Sequence, residues 1–109
     1  MRLILNEQEI VDGICVFISN DAAISPEDVE IKELTYNNHK GFIAEVRYGP
    51  LRRQFLGTTQ ISEGIIQFLE EYHNFNPDLT VVELKYDEKL GFHAEVLVNE
   101  GEDQCFHLL

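Results

Sequence analysis

Four side chains near the C-terminal end, His93, Glu95, Cys105 and His107, are of the types that ligate a transition metal. Within each pair the spacing is two residues, the period of a β-strand, so each pair would share one face of its strand. If the two segments form a hairpin, His93 lies near His107 and Glu95 near Cys105. Two imidazoles, a thiolate and a carboxylate suit zinc or a related transition metal. The same groups could run a metal-dependent or acid–base reaction. A shift of one residue in the hairpin would separate them, because it turns one strand over.

Glu45 and Glu95 form a second candidate. A twofold relation could bring the two carboxylates together across a sheet, as general acid and base catalysis requires. The third candidate is an interface. Ile43, Leu56 and Leu97 are expected opposite the helices, with Arg47 among them, and exposed apolar side chains of this kind mark contact surfaces. No phosphate-binding loop, dinucleotide-binding glycine motif, nucleophile elbow or Cys-x-x-Cys pair is present.

The elements that must position these groups come as an internal repeat. Displaced by 51 residues, the segment 9–19 falls on 60–70 with Ile10/Ile61, Gly13/Gly64, Ile14/Ile65 and Phe17/Phe68 identical. Displaced by 50, the segment 33–46 falls on 83–96 with eight of fourteen residues identical, too diverse a set for low complexity. The change of offset is expected between helix and first strand, where Ser25-Pro26-Glu27 faces Asn76-Pro77-Asp78. Fixed-period similarity is the mark of a duplicated supersecondary unit.

Residues 7–20 and 59–73 carry apolar side chains at helical spacing. Asn6 with Glu9 makes a capping box, and Leu5/Ile10 and Leu56/Ile61 make hydrophobic staples. Gly13 and Gly64 sit within the apolar stripes, where each costs about 1 kcal/mol against alanine. The same glycine in both halves implies a close approach, to another helix or to a strand. Strands follow at 29–36 and 79–86, then at 42–48 and 92–98, where alternation has period two. Third strands are expected at 51–56 and 102–108. Phe17, Phe42, Ala44, Val46, Phe55, Phe68, Phe92, Ala94, Val96 and Phe106 are expected in the core.

The expected fold is therefore α+β: tandem αβββ units, about 2–56 and 57–109, in a single domain. Two helices would pack on a largely antiparallel set of about six strands, in one sheet or two. Residues 2–5 could add a short strand.

The net charge is −12, from 20 acidic against 8 basic side chains. A nucleic-acid partner needs clustered cations that release counterions, and the only adjacent basic pair is Arg52-Arg53. Cys15 and Cys105 do not make a disulfide framework. The apolar run at residues 3–5 is too short for a signal peptide or a membrane span, so the expected location is the cytoplasm.

The run Leu3-Ile4-Leu5-Asn6-Glu7-Gln8-Glu9-Ile10, the two Gly-Phe-x-Ala-Glu-Val elements at 41–46 and 91–96 and the overall length resemble the YxcD-like family of small bacterial proteins. That family is of unknown function. The resemblance implies a bacterial cytosolic protein and supplies no site residues. Two readings stand. One is a non-catalytic binding or protein-interaction module, acting as a homodimer or on an unknown protein or small-molecule partner. The alternative is a metal-dependent or acid–base enzyme using His93, Glu95, Cys105 and His107.

Overall fold

The computed structural model describes residues 1–99. It contains two helices and six strands in the order β1 (Arg2–Leu5), α1 (Glu7–Ala22), β2 (Val29–Asn37), β3 (Gly41–Tyr48), β4 (Arg52–Leu56), α2 (Thr58–His73), β5 (Thr80–Asp87) and β6 (Gly91–Val98). The fold is α+β, and every strand pairing is antiparallel. The strands divide into two three-stranded sheets, β1-β6-β5 and β2-β3-β4.

Local chemistry sets the element ends. Asn6 caps α1 as a capping box: its side-chain oxygen accepts from the Glu9 N–H, and Glu9 Oε1 accepts from the Asn6 N–H, both at 2.9 Å. Gly57 heads α2 without a side chain, so only the return half survives, with Gln60 Oε1 accepting from the Gly57 N–H at 3.1 Å. Both helices close on a left-handed residue, Ala23 and Asn74. The β2–β3 turn is tied by Asn37 Oδ1, which accepts from the N–H groups of His39 and Lys40. Asp87 repeats the device in the β5–β6 turn, and each turn ends on a glycine with φ near +70°, Gly41 or Gly91.

The two helices cross where Gly13 meets Gly64. A Cβ on Gly64 would lie 2.5 Å from the Gly13 carbonyl oxygen, and one on Gly13 would lie 2.9 Å from the Ile65 Cα. Further along, Asn20 donates to Gln67 at 2.9 Å and to Glu71 at 2.7 Å, so the contact advances in the same sense on both helices. The close approach implied by the glycines is therefore helix to helix. Around it lies one core, in which Ile10, Ile14, Ile18, Ile61 and Ile65 meet Ala44, Val46, Ala94 and Val96 from the two sheets.

The registers locate the change of offset. β3 pairs with β2 as β6 pairs with β5, Glu33↔Glu45 matching Glu83↔Glu95 and Leu34↔Ala44 matching Leu84↔Ala94. Below Glu33 the first ladder carries a bulge between Ile31 and Glu33 that the second lacks. Lys32 is the extra residue, so the offset changes inside β2 and not ahead of it. A bulge absorbs one residue by a local kink and keeps both flanking faces in phase.

Two expectations are corrected. The third strand beside β6 is β1, from the opposite end of the chain, with Leu5↔Ala94 to Arg2↔Leu97 in register. β4 takes the corresponding place beside β3, with Leu56↔Ala44 to Arg53↔Arg47. The face of β4 is also the reverse of that expected. Residues directly opposite share a face, so Leu56 follows Ala44 inward and is fully buried, while Phe55 is 59% exposed. Leu56 therefore belongs to the core and not to an outer interface. Phe42, Ala44, Val46, Ala94 and Val96 are buried as expected, and Phe17, Phe68 and Phe92 are partly buried against the core. Phe106 lies outside the described residues.

Candidate functional site

The residues with chemical potential lie on the outer faces of the two sheets, away from the helices. On β6 that face carries His93, Glu95 and Leu97, flanked by Lys85, Glu83 and Val81 of β5 and by Ile4 and Arg2 of β1. On β3 it carries Ile43, Glu45 and Arg47, flanked by Phe55 and Arg53 of β4.

The two glutamates do not face one another. They sit on different sheets, and each is held by an arginine of its own neighbouring strand. Arg2 reaches Glu95 at 2.8 Å, and Arg53 reaches Glu45 at 3.4 Å. Lys85 adds a second cation to Glu95 at 3.2 Å. The hydrogen bond from Arg2, then that from Lys85, holds the Glu95 carboxyl below the ordinary glutamate range. A general acid needs the opposite shift. Glu95 is thus an ionised cross-strand anchor, and the paired-carboxylate mechanism loses its geometry.

This anchor makes a pH prediction. A carboxylate whose folded pKa is depressed stabilises the fold fully above its unfolded pKa of about 4.3, and the contribution is lost as pH falls through the lower folded value. Glu95→Gln should therefore melt below the wild type at pH 7, and the gap should narrow as pH falls below the unfolded glutamate value. Paired thermal melts across that range check it; a gap that widens toward acid would reverse the assignment.

His93 is buried, 5% exposed, and its Nδ1–H donates to the Gly91 carbonyl at 3.0 Å. It lines a recess of about 330 Å³ with Tyr36, Phe42, Lys85, Tyr86 and Asp87 where the two hairpin tips meet. There Tyr36 stacks on Tyr86 at 6.2 Å between ring centres, and Phe42 meets Phe92 edge-on at 5.9 Å. The signal for this junction in the sequence is the recurrence of Tyr and Phe at matching places in both halves, Tyr36/Tyr86 and Phe42/Phe92.

The proposed metal set is not assembled by the described residues. Cys105 and His107 lie outside them. The strand position that was to bring these two beside His93 and Glu95 is filled by β1, and β5 holds the other edge of β6. Glu95 is already contacted by two cations, Arg2 and Lys85, which disfavours a dication at the same oxygens. The described residues contain no group of three or more His, Cys, Asp or Glu side chains placed to hold a metal ion. Cys15, on α1, is a half-buried free thiol whose pKa is raised by burial and then by the charge of Asp12, so it is a weak nucleophile.

Arg47 and Leu97 are exposed and Ile43 is half-buried, all on the outer faces. Ile4, Phe55 and Val81 join them there, each at least half exposed. Reversing β4 exchanges Leu56 for Phe55. Ile4 could have been found from the offset of 51, which sets Leu5 on Leu56 and hence Ile4 on Phe55.

A family profile described as "Protein of unknown function (DUF2653)" matches residues 1–85. The chain belongs to the DUF2653 family. The matched stretch runs from β1 into β5 and so contains the whole β2-β3-β4 sheet and both helices. Within this setting the uncharacterized protein YxcD of Bacillus subtilis (strain 168) is 67% identical over 103 residues, covering 94% of this chain and all of that protein. The resemblance carried by residues 3–10 and the two Gly-Phe-x-Ala-Glu-Val elements therefore holds over nearly the full length. No solved structure matches the chain. Among the described residues no helix is long and apolar enough to cross a membrane.

Proposed function

We propose that this DUF2653 protein is a non-catalytic binding module of the bacterial cytoplasm, a single domain of two duplicated units that self-associates through its outer sheet faces. The observation that supports this most is the row Ile4, Val81 and Leu97 on one sheet and Phe55 on the other, each at least half exposed on a face that no helix covers. A solvated sheet face normally carries polar side chains at such places. The outer-face carboxylates of β3 and β6 are satisfied locally, Glu95 by Arg2 and Lys85, and Glu45 by Arg53. That pattern suits a contact surface better than a reaction centre. Duplication is supported by the matched registers, and a single domain by the pairing of β1 with β6, which joins the first repeat to the second.

The net charge of −12 opposes close approach of two copies, so screening should favour association. Light scattering across protein and salt concentration is expected to show a dimer that tightens as salt rises. Leu97→Glu or Phe55→Glu should leave a monomer with unchanged far-UV circular dichroism. A wild-type monomer at every concentration up to about 0.5 mM, far above the micromolar range of an ordinary interface, would end this reading.

A further inference from the structure

Arg47, Arg52 and Arg53, three of the eight basic side chains, lie within seven residues around the turn from β3 to β4. With Pro50 and Leu51 they line an open recess of about 530 Å³. Arg47 and Arg53 stand directly opposite one another in the ladder. Their side chains share a face, and like charges so placed repel; Arg52, opposite Tyr48, leaves β4 on the other face and borders the recess at the turn. Glu45 approaches Arg53 at 3.4 Å and gives partial relief. Glu30 is opposite Arg47 on β2, but its carboxylate is drawn to Lys32 at 3.8 Å. Among the described residues, the side chains of Arg47 and Arg52 enter no ion pair or hydrogen bond.

The fold does not require this cluster. On the other sheet the place of Arg47 is taken by Leu97, and that of Arg53 by Arg2, which is paired with Glu95; the recess there is lined by Leu79, Val81, Leu97 and Val98 with Met1, Arg2 and Asn99. The Arg47 position is thus cationic on one sheet and apolar on the other, and the recess beside β4 holds three arginines where its counterpart holds one. In a chain of net charge −12, the cationic end is where an anion gains most.

We infer that this recess binds an oligoanion of the phosphate type, such as the diphosphate group of a small molecule. Guanidinium groups present planar, forked N–H donors that match phosphate oxygens two at a time. Two unpaired guanidiniums and a third half-neutralised one balance a multiply charged group better than a single carboxylate. Leu51, 94% exposed at the rim, offers an apolar contact to the remainder of such a ligand. The site deepens the binding-module reading without depending on self-association.

Calorimetric titration of the full chain with pyrophosphate, at about 50 mM salt where phosphate contacts are little screened, tests the inference. Saturation with a dissociation constant below about 1 mM is expected. Arg47→Gln and Arg52→Gln should each weaken it by about tenfold, the weight of a charge-assisted hydrogen bond. Both side chains are exposed, so the variants should melt as the wild type does. Lys89→Gln, in the turn of the other sheet, should bind as the wild type does. The monomeric Leu97→Glu variant should also keep the affinity, which separates this site from the dimer contact. Failure to saturate by about 10 mM, well past that expected constant, would overturn the proposal. Equal loss with Lys89→Gln, or citrate binding as tightly as pyrophosphate, would do the same.

Discussion

Leu56→Ala is expected to cost about 2–5 kcal/mol of folding free energy, whereas Phe55→Ala, one residue away and larger, should cost under about 1 kcal/mol. Leu56 is fully buried where β4 delivers the chain into α2, beside Ala44 and with Ile61 in the same core. Removing its branched end leaves a cavity among rigid neighbours, and the penalty grows with the volume that cannot collapse. Phe55 faces outward, with the Arg53 guanidinium 5.7 Å from its ring centre. Denaturant titration of the two variants, read at constant slope, decides between the two faces of β4. The opposite order of costs would restore the arrangement in which phenylalanine is core and leucine is surface.

Gly64→Ala should destabilise the fold by about 1–3 kcal/mol, although alanine is the better helix former by about 1 kcal/mol. The added methyl would lie 2.5 Å from the Gly13 carbonyl oxygen and 2.9 Å from the Phe17 Cβ. Neither is the far end of a flexible side chain, so the helices themselves must part. Parting them loosens the isoleucines of both stripes from the two sheets at once. Gly64→Val, which adds two more carbons at the crossing, should exceed about 3 kcal/mol. Gly13→Ala acts on the same contact from the other side, against Ile65. The double alanine variant should then cost less than the sum of the singles, because one displacement accommodates both methyl groups. Additive costs, or a gain in stability for Gly64→Ala, would show that the crossing is looser than it stands here.

The chain itself determined its elements. Apolar spacing marked both helices to within about two residues, as boundaries allow. Asn6 and Glu9 announced the capping box, and the Asn37 and Asp87 turns were written in residue type. Repetition of Glu-Leu-x-Tyr and Gly-Phe-x-Ala-Glu-Val declared the two hairpins and their common register, since a strand's side chains alternate and matched residues must match in face. These are local rules, satisfied by neighbours in sequence.

Tertiary structure decided what those rules leave open. Which strand completes the second sheet is a competition between distant segments, and β1 took the edge of β6. That single pairing removed the expected route to a cluster of His93, Glu95, Cys105 and His107, and it gave Glu95 the arginine that keeps it ionised. The face of β4 was likewise legible only through its partner. Leu56 fitted either a staple with Ile61 or an outer surface, and the Ala44 opposite it chose the first. The glycines said that something came close, and only the packing of α1 on α2 said what. Arg52-Arg53 was visible as a basic pair, but its grouping with Arg47 around one recess needed the strand pairing that sets Arg47 against Arg53, because like charges gather only where the backbone holds them.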